Sequence, residues 1–153
     1  MQGTYKTCRG RWQHADQVRF ETKIAVLLRE DLETWQRLNV CAFLVSGIAA
    51  AVPELIGEPY ADADGTKYLA MFGQPVLVFE GLAPTLTAAH TRAESRGLPM
   101  SIFTAELFTT GNDEDNRAAV RAVPKADLDL VGIAVHGPRN AVDKIVKGSR
   151  LHP

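Results

Sequence analysis

The chain has 153 residues, 46% of them hydrophobic and 23% charged, a length and balance that suit one globular domain able to bury its own core. Seventeen basic against eighteen acidic residues give a net charge of -1, which argues against a protein that grips nucleic acid through many phosphate contacts. Two cysteines make no scaffold of bridges, no Cys or His pair has ligand spacing, and no window is apolar enough for a signal core or a membrane span. A cytoplasmic protein with no metal, no cofactor and no membrane partner is expected.

Residues 1–20 are polar and aperiodic and read as an extension in which Trp12 and Phe20 pin the leader to the body or to a partner; residues 21–153 form the domain. Cys8 falls in that leader. Lys23–Leu28 is a short apolar run, the pattern of a strand buried on both faces. Asp31 or Thr34 is placed to cap the helix that follows, which runs to about Val52 and is stopped by Pro53. From Val40 to Val52 this helix has no charged residue, so it should be enclosed on several sides, and Cys41 should serve as a small buried hydrophobe.

Gly57-Glu58-Pro59 and Asp62-Ala63-Asp64-Gly65 read as turns; the latter opens like a calcium loop but lacks the later ligands. Lys67–Phe72 is a candidate edge strand and Pro75–Phe79 a second apolar strand, with proline at its first position. Thr85–Arg96 is a helix with Leu86, Ala89 and Ala93 on one side, ended by Gly97 and Pro99. Ser101–Ala105 is a third strand. Asp113–Ala122 is a helix with acidic residues in its first turn, closed by Pro124. Leu130–Val135 is a fourth strand and Asn140–Lys147 the last helix, closed by Gly148. Strands alternating with helices predict a three-layer α/β/α domain on a four-stranded mixed sheet.

Lys-Ile-Ala-Val-Leu-Leu-Arg-Glu-Asp-Leu before a small-residue helix resembles the start of type II peptidyl-tRNA hydrolases, and Gly-Ile-Ala-Val-His-Gly-Pro with Val142-Asp143-Lys144 and Gly148 resembles their end. Over residues 22–148 the chain is more similar to an uncharacterised bacterial branch of that superfamily, catalogued as a domain of unknown function, through Asn39-Val40-Cys41-Ala42-Phe43-Leu44, Val52-Pro53-Glu54-Leu55-Ile56-Gly57 and Asp127-Leu128. The hydrolases carry a Gly-Lys pair, then Gln and His, on the first helix. The matching positions here are Leu38 and Asn39, then Phe43 and Ser46. Asn39 cannot act as a cationic anchor. Their Asp-Ala-Gly-x-Thr run is Thr104-Ala105-Glu106-Leu107-Phe108 here, and the segment between strands three and four is longer by the Asp113–Ala122 helix. Peptidyl-tRNA hydrolysis is therefore not what these residues imply.

Ligand crevices in open α/β sheets lie beyond the C-terminal strand ends. If strands one and three run together, Asp31, Asn39, Thr104 and Glu106 converge there as the candidate catalytic set, with Thr104 and Glu106 alternating on one face of a strand end. Ser46, Thr109, Thr110 and His136 are candidates for ligand binding, and no residue is a candidate metal ligand. Each has a structural alternative: a cap for Asp31, a loop hydrogen bond for Asn39, bonding back to the helix for Ser46, a solvated rim for Glu106. His136 ends strand four and lies at the wrong edge if that strand runs antiparallel. The expectation is a small homodimeric enzyme acting on a small polar molecule by metal-free acid–base or hydrolytic chemistry; the alternative is a non-catalytic module that binds a ligand or a protein.

Overall fold

The computed structural model describes residues 18–153. The expected leader, with Cys8, Trp12 and His14, lies mostly outside the described residues. Phe20 is tied down, its carbonyl accepting from Arg139 Nη1 at 3.3 Å. Strand β1 (Thr22–Arg29) runs into helix α1 (Thr34–Ala51). A two-residue ribbon follows, β2 (Tyr60–Ala61) with β3 (Lys67–Tyr68). Then come β4 (Val76–Gly81), α2 (Ala83–Ser95), β5 (Met100–Thr104), α3 (Asp113–Arg121), β6 (Leu130–Pro138), α4 (Arg139–Ile145) and β7 (Arg150–Leu151).

The main sheet has five strands in the order β5-β6-β1-β4-β7, where four were expected. The extra strand is β7, which pairs antiparallel with β4 through Glu80 and Arg150 and is too short to carry a periodic signal. The expected Lys67–Phe72 edge strand does not join this sheet: Lys67 and Tyr68 pair with β2, and Phe72 makes an isolated bridge with Ile56. β1 and β4 are parallel, while β6 runs antiparallel to both β1 and β5. The C-terminal ends of β1, β4 and β5 therefore share one edge, with β6 lying between β1 and β5.

The apolar run in β1 serves both sheet faces. Ile24, Val26 and Leu28 join Val40, Leu44 and Ile48 of α1 in one buried cluster, while Ala25 and Leu27 join Leu86, Ala89, Val142 and Ile145 of α2 and α4 in the other. Alternation of side chains along a strand makes this division. α1 sits very close to the sheet at Gly132: a Cβ there would fall 2.5 Å from Val40 Cγ1 and 2.9 Å from Leu44 Cδ1. Ser101 Oγ fastens the same helix by donating to the Leu44 carbonyl at 2.7 Å.

The caps differ in detail from expectation. α1 is preceded by Glu33, whose N–H donates to Gln36 Oε1 at 2.9 Å, so neither Asp31 nor Thr34 is its cap. α2 starts two residues earlier than expected because Pro84 is tolerated in a first helical turn. Gly97 ends it with φ +63°, a conformation that suits glycine. α1 is also less enclosed than its composition implies. The sheet covers one side of it, leaving Leu38 69% and Phe43 55% exposed.

Candidate functional site

A groove runs between α1 and the segment that leaves β5, a 3₁₀ turn (Ala105–Thr109) followed by α3. Two adjoining hollows form it. The larger, about 480 Å³, is lined by Phe43, Ser46, Phe103, Leu107, Asn116 and Val120 among others. The smaller, about 380 Å³, continues past Phe43 and Phe103 to Trp35, Asn39, Phe108, Thr110 and Asn112. The wall is aromatic. Trp35 meets Phe108 edge-on at 5.8 Å, Phe108 meets Phe103 at 5.1 Å, and Phe103 meets Phe43 edge-on at 5.9 Å. Such pairs each add about 0.5–1.5 kcal/mol beyond burial, so this row fixes the 3₁₀ turn against α1 and keeps the groove open.

The polar groups are amides, hydroxyls and, along α3, the charged side chains of Asp113, Arg117 and Arg121. Asn112 caps α3 by accepting from the Asp115 N–H at 2.8 Å. The Thr110 hydroxyl is shared between the Leu107 carbonyl, at 3.0 Å, and the Asn116 side chain. Asn39 projects from α1 into the smaller hollow, is exposed, and makes no side-chain hydrogen bond to the described residues. The loop bond that would have made it structural is absent among the described residues, which leaves its amide free for a ligand.

The other expected residues do not gather around Asn39. Asp31 lies in a separate hollow with Arg29, Glu30, Leu82, Ala83 and Pro84, and accepts from Arg29 Nε at 2.7 Å. Thr104 is 1% exposed and its hydroxyl has no partner among the described residues. It pairs with Leu130, a member of the α2–α4 cluster, so it does not open on the groove. Glu106 was expected to alternate with Thr104 on a strand, but β5 ends at Thr104 and the chain turns into the 3₁₀ helix, leaving Glu106 exposed and off the groove lining. Ser46 lines the larger hollow with its hydroxyl donated back to the Phe43 carbonyl at 2.5 Å. Thr109 is exposed and bonds the Glu106 carbonyl at 2.9 Å.

His136 sits opposite Ile24 at the start of β1, the far edge from Asn39, because β6 is antiparallel. Its buried Nε2 has no hydrogen-bond partner among the described residues, and desolvation pushes its pKa below the ordinary histidine value, against a weaker pull from Glu54. The Cys41 thiol is pushed up by burial, which suppresses the thiolate. Among the described residues no three His, Cys, Asp or Glu side chains gather as a metal site requires. Asp62 closes its turn as read from sequence, accepting from Asp64 and Thr66 N–H groups at 3.0 and 2.9 Å.

One polar cluster was not anticipated. Glu80, 3% exposed at the end of β4, accepts from Arg150 Nε at 2.8 Å and from Arg37 Nη1 at 2.7 Å. Arg37 also donates to the Leu32 and Glu30 carbonyls, and its Nη1 lies 2.6 Å from His152 Nε2. The hydrogen bond from Arg150 foremost, then that from Arg37, holds the Glu80 carboxyl below the usual glutamate range against the opposing effect of desolvation. The cluster joins the β1–α1 turn, β4 and β7. Its one sequence signal is a carboxylate directly after the apolar run Val76–Phe79.

The molecule is thus a mixed α/β protein with a groove beside its first helix. The chain belongs to the family described as protein of unknown function (DUF2000), whose profile matches residues 22–153. It is similar to a solved structure of a protein of unknown function from Agrobacterium tumefaciens, with 43% identity and a TM-score of 0.86, covering 88% of this chain and 100% of that one. No curated protein matches the chain. No helix among the described residues is long and apolar enough to cross a membrane.

Proposed function

We propose that the chain is a small-molecule-binding protein whose ligand lies in the α1–α3 groove, on a three-layer α/β/α framework of the type II peptidyl-tRNA hydrolase-like class. The fold reading is supported by two buried clusters divided between the faces of one mixed sheet. The functional reading is carried by one observation: an aromatic-walled groove with the Asn39 amide, unbonded among the described residues, at its rim. The dispersal of Asp31, Thr104 and Glu106 away from Asn39 favours binding over the metal-free acid–base or hydrolytic turnover expected from those residues. Asn39 in place of the resembled family's lysine speaks against peptidyl-tRNA as the ligand.

We also propose a cytoplasmic homodimer. Leu38, Cys41 and Val45 lie on the side of α1 away from α3, near the half-buried Val76 and Val78 of β4, and no charge interrupts α1 after Arg37. That apolar face suits a second copy.

The binding reading is tested by amide NMR with a library of small aromatic and aliphatic molecules on the full chain. Shifts should gather around Phe43, Phe103 and Asn116. Asn39→Ala should weaken the best binder about fivefold, the worth of one hydrogen bond, with a stability change within about 0.5 kcal/mol because the residue is exposed. Shifts scattered elsewhere, or a melting point that collapses in Asn39→Ala, would remove this reading.

A further inference from the structure

Three charged side chains line the larger hollow, and they are unevenly matched. Asp113 opens α3 and Arg117, one turn later, is its ion-pair partner. Arg121, one turn further along the same face, makes no ion pair with any described residue. The guanidinium offers a fork of donors suited to a carboxylate. Around it the hollow is apolar: Phe43, Phe103, Leu107 and Val120 supply its walls, and the edge-to-face pair of Phe43 and Phe103 favours a flat ring.

We infer that the ligand of this groove is a small amphipathic monoanion, a flat apolar body with one acid group, whose acid sits at Arg121 and whose body lies between Phe43 and Val120. The inference rests on the binding reading above and adds the ligand's charge and shape. Among the described residues that line the hollow, a single unmatched cation sets the charge. A polyphosphate would bring several negative charges beside Asp113 with one guanidinium to meet them, and a sugar would leave its hydroxyls against aromatic walls. The volume of about 480 Å³ lies in the range of small-molecule pockets. Asn39 and Asn116, further along the groove, are placed to read a polar substituent at the opposite end.

The probes are naphthylacetate and its neutral isostere naphthylacetamide, titrated against the full chain by amide NMR and calorimetry. The acid should bind about five- to tenfold more tightly than the amide, as expected for a charge-assisted hydrogen bond on a partly exposed rim. Arg121→Gln should bring the acid down to the amide's affinity and leave the amide unchanged. Added salt should weaken the acid alone. Val120→Trp, which fills the hollow, should abolish both. Equal affinity of acid and amide in the unaltered chain, or an acid whose binding ignores Arg121→Gln, would overturn the monoanion inference while the groove reading stands. Failure of both probes to bind would overturn the two together.

Discussion

Gly132 is the point where the fold is least forgiving, and Gly132→Ala tests how α1 is seated. The new methyl would start 2.5 Å from Val40 Cγ1 and 2.9 Å from Leu44 Cδ1, where carbon pairs prefer about 3.5–4.0 Å. Both neighbours are completely buried, so neither can swing into solvent. Relief requires α1 to rise from β6 by something near 1 Å, or Val40 to leave its rotamer. Overpacking of this kind costs about 1–3 kcal/mol. For a domain of this length each kcal/mol moves the melting temperature by about 2–4 °C, so a fall of roughly 2–12 °C is expected. Urea unfolding should show the loss as a lower midpoint at unchanged slope. Gly111→Ala is the control, since nothing lies within 4 Å of a Cβ there, and it should change little. Gly132→Ala with Val40→Ala should lose less than the sum of the two single losses, because the second change empties the space the first one invades. A Gly132→Ala protein that melts with the unaltered chain, or strictly additive losses, would refute the proposed close seating of α1.

Glu80 predicts the acid limb of stability. Its carboxyl ionises at lower pH in the folded chain than in the unfolded one, so its contribution is complete above the ordinary value of 4.5 and disappears as pH falls through the lower folded value. Glu80→Gln should melt lower than the unaltered chain at neutral pH, where it leaves Arg37 and Arg150 without their carboxylate, and the gap should narrow below that ordinary value in thermal melts. A gap constant across pH would show that the cluster does not act through ionisation. For the dimer, light scattering at micromolar concentration should give twice the chain mass, and Leu38→Asp should return the single mass with the melting profile retained. A monomer from the unaltered chain removes the proposal.

The strands and helices of the sheet were legible because each is announced by periodicity or by a stop. Ile24–Leu28 is uninterrupted apolar sequence, Pro53 and Gly97 close helices where the backbone cannot continue, and Leu86, Ala89 and Ala93 repeat at helical spacing. What escaped depends on contacts between distant residues. β7 exists because Arg150 meets Glu80 across 70 positions, and no local pattern announces that pair. Of the candidate residues, Asn39, Ser46 and Thr110 line the groove, while Asp31, Thr104, Glu106, Thr109 and His136 do not. The error at Glu106 arose from continuing a two-residue period past Thr104, where the chain bulges against β6 and winds into a 3₁₀ turn. The aromatic row was hidden for a different reason. Trp35 and Phe43 come from one element and Phe103 and Phe108 from another, so their meeting is a property of topology.

The groove owes its second wall to the segment from Ala105 to Arg121. This has a consequence for Asn39. Here α3 and its 3₁₀ lead stand across from it, with Phe108 and Phe103 turned inward and Asn112 and Asn116 along the rim. A lysine facing those aromatic walls would lose hydration, whereas an amide can pair with a neutral polar group at little desolvation cost. The segment that supplies the second wall and the amide at position 39 thus suit one another in physical terms. Together they make a partly enclosed groove lined by aromatic rings and amides, and Arg121, which has no ion-pair partner among the described residues, comes from that same wall.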